Sequence, residues 1–306
     1  MSTHYTDRMS APVPTLPLLP RLSDRHRAML QEMGVPIWWP TAADAVGTGA
    51  AAPSDPATKD ERRATAVPDP VCRPVEPTHP PPNHPVPTSA PGAALDHPAR
   101  WLPNLAALEA AVHDCSRCGL AQRRQRAVPG MGDPRPDWLI IGEAPGEEED
   151  RQGLPFVGRA GQLLDRMLAA MGLTREHRVY IANVIKCRPP LNRNPDPLEI
   201  AQCSPYLLRQ VELLQPKVII AMGRFAAQTV LAEGGALSPE AARQWPLGKL
   251  RGQVHRVTLG GLSLPVVVTY HPAYLLRSPA EKGKAWADLC LALDTMDGLH
   301  PARAAV

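Results

Sequence analysis

Long apolar runs are missing from these 306 residues; none approaches the roughly 20 residues that a membrane span needs. The opening MSTHYTDRMSAPVP has no apolar signal core, so a cytoplasmic protein is expected. Cysteine is scarce, six in the whole chain, which excludes a disulfide scaffold and turns attention to metal chemistry. Charge of one sign is lacking too. The net charge is +3, with 9 basic against 10 acidic residues in 1–100 and 24 against 20 beyond. A nucleic-acid partner is permitted by that balance but not argued for by it. Residues 41–100 have no Ile, Met, Phe, Trp or Tyr and a single Leu, Leu95, while holding 13 of the 37 prolines. So little apolar surface cannot offset the entropy of ordering, and this stretch is expected to be a disordered Pro/Ala-rich linker.

What is present divides accordingly. Residues 1–40 form a short N-terminal segment, 41–100 the linker, and 101–306 one domain with a sizeable core. From Trp101 onward short β-branched runs at 138–141, 179–185, 218–221, 254–259 and 265–270 alternate with helical patterns at 105–113, 158–171, 198–214, 224–232 and 280–296. Leu163, Leu164, Met167, Leu168 and Met171 recur at threes and fours, one face of a helix. The alternation predicts an α/β protein, with a mostly parallel sheet covered by helices on both sides. Ligands then bind outside the carboxyl ends of the strands. Four stretches stand there: GEAPGEEED (142–150), 183–190, Gly223-Arg224, and HPAYLLRS (271–278).

Cys115-x2-Cys118 has the spacing of a metal chelate, and Cys187 and Cys203 complete a set of four, apart from Cys72 and Cys290. Fifteen residues between the last pair are unusual for a zinc ribbon, so an iron-sulfur cluster fits better than zinc; ordinary buried thiols are the third alternative. Colour separates the first two.

Together GEAPGEEED…GLPFVGRAGQLLD (142–165), YIANVIKCRPPLNRNP (180–195) and TYHPAYLLRS (269–278), with the four cysteines interleaved, resemble the family 4 uracil-DNA glycosylases over about 105–296. The resemblance implies a three-layer α/β/α sandwich, a structural 4Fe-4S cluster on Cys115, Cys118, Cys187 and Cys203, and hydrolysis of the bond joining uracil to deoxyribose in DNA. A base in a duplex must be extruded and then held by its edge and by stacking. Asn183, at a strand end, offers the donor and acceptor that uracil's O4 and N3–H need. By resemblance Phe156, one of only two phenylalanines, is the stacking platform, and His271 donates to O2 of the departing base. Tyr274, Leu275, Leu276 and Arg277 look like the loop that enters the duplex, with Arg277 near phosphate.

Cleavage of this bond passes through a positively charged sugar, the case in which a nearby carboxylate stabilises the transition state and orients water. That gives the acidic loop a purpose: Gly142, Ala144 and Gly146 bring backbone close to the base while Glu143, or else Glu149, faces the sugar. Related enzymes carry Asp where Ala144 stands. A related subgroup traps uracil-DNA covalently instead of turning over; it shows Gln at that place and a reactive His in a basic loop, whereas 188–194 here has no His. Residues 22–40 group Met29, Leu30, Met33, Ile37, Trp38 and Trp39 and resemble the leading segment of the clamp-loader psi subunit. They are expected either to fold back on the domain or to dock a replication or repair protein. A monomer is expected.

Overall fold

The computed structural model describes residues 97–299; the expectations for 1–40, its docking segment, and all but the last residues of 41–100 fall outside that range. Six strands form one sheet: β1 (Met131–Gly132), β2 (Trp138–Gly142), β3 (Val179–Asn183), β4 (Val218–Met222), β5 (Val254–Leu259) and β6 (Leu262–Thr269). Their order is β1-β3-β2-β4-β6-β5, parallel through β3, β2, β4 and β6, with an antiparallel strand at each edge.

Alternation of side chains along each strand builds two cores. Trp138, Ile140, Val179, Ile181, Val218, Ile220 and Val267 point to one face, where they meet α3 (Arg159–Ala170) and α9 (Lys282–Gly298). Leu139, Ile141, Tyr180, Ala182, Ile219, Ala221, Val266 and Val268 point to the other, against α4 (Pro197–Leu214) and α5 (Arg224–Glu233). Each fully buried Leu, Ile or Val contributes about 1.5–3 kcal/mol. The result is the expected α/β/α sandwich. A satellite core forms where α1 (Leu105–His113) packs Leu108 and Val112 against Tyr206 of α4.

Several boundaries differ from the sequence expectation. β3 stops at Asn183 rather than residue 185, because Val184 and Ile185 donate their amides to the carbonyls of Gly142 and Glu143 at 3.0 and 3.2 Å and leave the ladder. β6 starts earlier, at Leu262, because Gly260 and Gly261 both take positive φ and close a hairpin with β5. The short helices α2 (Glu147–Gln152), α6 (Pro239–Gln244), α7 (Leu247–Leu250) and α8 (Pro272–Arg277) were not expected as elements. No helix among the described residues is long and apolar enough to cross a membrane.

Candidate active site

A cavity of ≈ 790 Å³ opens at the carboxyl ends of β2, β3, β4 and β6, and all four of the stretches expected there meet around it. Glu143, Ala144, Gly146, Glu149, Phe156, Asn183, His271 and Arg277, each expected at a ligand site, line its wall. Gly142 lies beneath them.

Three residues make the floor. Gly142 pairs in register with Asn183 across β2 and β3, and a Cβ at Gly142 would stand 2.4 Å from Asn183 Oδ1 and 2.6 Å from Phe156 Cζ. Only glycine lets amide and ring close over the strand end. Asn183 is 2% exposed, and its Oδ1 is buried without a hydrogen-bond partner. An unmet buried acceptor costs roughly 1–3 kcal/mol, so a ligand donor would gain there. Phe156 takes a positive φ of 53° and stacks on His271, ring centroids 5.4 Å apart.

That strained loop is held from two directions. Arg175 Nη2 donates to the Phe156 carbonyl at 3.0 Å, and Glu149 Oε1 accepts from the amides of Val157 and Gly158 at 2.9 and 3.0 Å. Gly161 permits the contact from below, since a Cβ there would lie 1.8 Å from the Phe156 carbonyl oxygen. Sequence reasoning gave no role to Arg175 or Gly161; the only signal for the latter was a glycine inside an otherwise apolar helical pattern.

His271 caps α8, its Nδ1 accepting from the Ala273 amide at 3.2 Å. That bond places the ring proton on Nε2, leaving an N–H donor. Burial pushes its pKa down to about 4, and the charge of Arg277 adds to the shift. The ring is therefore neutral near pH 7. Glu143 lies in the wall, its carboxylate without a hydrogen bond or ion pair to any described residue. Burial raises its pKa and the positive charge of Arg224 opposes the rise. Arg224 starts α5 just after Gly223, whose φ of 89° and 3.0 Å approach to His271 Cβ favour a residue without a side chain.

The other carboxylates are committed elsewhere. Glu149, the second choice to face the sugar, spends Oε2 on the Gly146 amide at 3.0 Å and Oε1 on the two amides beyond Phe156. It lines the wall, but both oxygens are occupied by backbone, so its part is to shape the loop. Asp150 is buried and accepts from Gln125 and Arg126 amides; Glu147 and Glu148 pair with Arg188 and Arg151. A correction concerns the duplex-entering segment. Leu275 is 0% exposed and belongs to the core, whereas Tyr274 and Leu276 face outward.

Among the described residues no group of three or more His, Cys, Asp or Glu is disposed to hold a single metal ion. Cys115, Cys118, Cys187 and Cys203 nonetheless line one small second cavity with Arg124, Lys186 and Tyr206. One zinc draws its sulfurs to about 2.3 Å from a point. A four-iron cluster offers each thiolate its own iron and takes a wider ring. Four thiols that share a cavity without converging fit the second. Donors are already aimed at sulfur: Arg124 Nη1 to Cys187 Sγ at 3.0 Å and the Lys186 amide to Cys203 Sγ at 3.2 Å. Burial raises the pKa of Cys118 and Cys187 and pushes Cys203 up to about 12. Lys186, 1% exposed, sends Nζ to the Asn183 carbonyl at 2.8 Å and to Gln210 Oε1 at 2.6 Å.

Fold and site define an α/β protein with a pocket at the carboxyl edge of its sheet, lined by an aromatic ring, an imidazole, a carboxylate and a buried amide. The model of the Uracil DNA glycosylase superfamily matches residues 129–290. The chain is 40% identical over 188 residues to the Type-4 uracil-DNA glycosylase of Pyrobaculum aerophilum, covering 61% of this chain and 92% of that one. It is 43% identical over 168 residues to the namesake of Archaeoglobus fulgidus (55% and 81%), and 42% over 167 residues to that of Thermotoga maritima (55% and 80%). The chain therefore belongs to the uracil-DNA glycosylase superfamily, among its type-4 members.

Proposed function

We propose that this protein is a DNA-repair glycosylase that hydrolyses the N-glycosidic bond of deoxyuridine in DNA, releasing uracil and leaving an abasic site. One observation carries the reading: a buried amide oxygen without a partner, on Asn183, at the floor of a cavity walled by an aromatic face, a neutral imidazole and a free carboxylate.

Each group has a task. Asn183 accepts from uracil N3–H through Oδ1 and donates to O4 through its NH₂; cytosine presents the opposite pattern at those positions and is refused. Phe156 stacks on the base. As the bond breaks, negative charge grows on O2, where the Nε2–H of His271 donates to it without a prior change of protonation. Glu143 supplies the opposite charge, stabilising the cationic sugar and orienting water toward its C1′. Glu149 and Arg175 act through Phe156 as positioning residues. The acidic loop thus contributes one reacting carboxylate, and its neighbours fix backbone.

Cys115, Cys118, Cys187 and Cys203 would hold a 4Fe-4S cluster. Bound there, it would supply covalent cross-links between the segment after α1, the loop after β3 and α4. Iron and sulfide measured on anaerobically purified protein, with its colour, test that assignment, zinc protein being colourless.

The activity is tested by comparing uracil release from oligonucleotides among intact protein, Asn183→Ala and His271→Ala. Each variant is expected to lose about 10²- to 10³-fold in kcat with iron content unchanged. Iron-loaded intact protein that leaves deoxyuridine untouched would overturn the proposal, and a denaturant-resistant protein–DNA band without free uracil would indicate a covalent trap instead.

A further inference from the structure

The loop between β3 and α4 carries the most exposed large apolar side chain among the described residues: Leu191, 96% exposed. Its backbone lies at φ 55°, ψ 24° and Asn192 follows at φ 54°. Asparagine tolerates that left-handed region; leucine rarely adopts it. Exposure of a lone leucine needs no explanation, but exposure combined with a strained backbone does.

The loop is braced. Arg188 Nε donates to Asn192 Oδ1 at 2.8 Å, the amides of Asn192 and Arg193 close turns onto the carbonyls of Pro189 and Pro190, and Arg193 Nη1 reaches Glu199 Oε2 at 2.9 Å. Those bonds hold Leu191 outward. Pro189, Asn192, Arg193 and Asn194 all line the active-site cavity, so Leu191 stands on its rim with an arginine on either side of it in the chain.

We propose that Leu191 enters the base stack of duplex DNA beside the extruded nucleotide, a wedge separate from the 272–277 segment. The proposal rests on the uracil-releasing reading above. Extruding a nucleotide destroys stacking on both its sides, and an apolar side chain placed in the gap replaces part of what is lost. A single strand has no paired stack to hold open, so Leu191 contributes to cleavage of duplex alone.

Leu191→Gly removes the side chain and relaxes the positive φ, so folding is not endangered. The variant and the intact protein are compared on uracil in a duplex and in a single strand, with 2-aminopurine beside a non-cleavable deoxyuridine analogue reporting stack opening. The expected result is a fall of about tenfold or more in kcat/KM on duplex, a change of less than about twofold on single strand, and loss of the 2-aminopurine enhancement. Equal losses on both substrates, or none, overturn the proposal, as does an unchanged enhancement. Intact protein that cleaves neither substrate overturns the glycosylase reading instead, and the fluorescence comparison still decides the role of Leu191.

Discussion

The base cavity and the cysteine cavity are joined by residues 183–187, yet they are built on opposite plans. In the first, nearly every polar group is met by protein: Glu149 by three amides, the Phe156 carbonyl by Arg175, His271 Nδ1 by Ala273. Two acceptors are left open, the buried Oδ1 of Asn183 and the carboxylate of Glu143. In the second, four thiols line one cavity with two N–H donors aimed at sulfur and raised pKa values at three of them. A site finished by the protein is ready for a transient ligand, because little remains to reorganise when it arrives. A site completed by the proposed cluster would be a cross-link between segments.

Gly142→Ala breaks the first plan alone. Its methyl would overlap Asn183 Oδ1 and the Phe156 ring, and a displacement near 1 Å costs about 10²-fold in uracil release. Iron content stays at the intact value; a concurrent loss of iron would show that the two cavities are one unit. Cys203→Ser breaks the second. Iron per chain drops, and a stability loss of roughly 3 kcal/mol lowers the melting temperature by about 6–12 °C; residual folded protein retains uracil affinity. An unchanged melting curve would remove the cysteines from the structural account.

The smallest effect sharpens the electrostatics of the first cavity. In the proposed reaction Glu143 works as a carboxylate, and its pKa is raised, so activity is expected above that pKa and falls with decreasing pH at a midpoint above that of an ordinary carboxylate. Arg224 opposes the rise, so Arg224→Gln moves the acid limb to still higher pH. A pH–rate profile of single-turnover cleavage reads the shift. A limb that stays in place means that Glu143 is not the titrating group.

Much of the frame was legible along the chain. Strand runs bounded by Gly and Pro, and apolar residues at threes and fours in 163–171, reflect backbone preferences and one buried face, and both are local. The strand-end placement of Glu143, Asn183 and His271 followed from the α/β alternation. Leu275 was misplaced because HPAYLLRS reads as a loop in sequence, whereas residues 272–277 coil into a helical turn that turns this one leucine inward. Glu149 could not be told from its neighbours along the chain, because four consecutive carboxylates look alike until their partners are known.

By itself the sequence determined the alternation of strands and helices, the four cysteines as a set, and the positions where chemistry could stand. Each depends on neighbours within a few residues or on side-chain type. Tertiary structure alone decided which carboxylate remained free, which tautomer His271 holds, and how Phe156 keeps its strained pose. Those outcomes depend on hydrogen bonds between segments distant in the chain, Asp150 with Gln125 and Arg175 with Phe156 among them. Such a bond forms only after folding has brought its partners together.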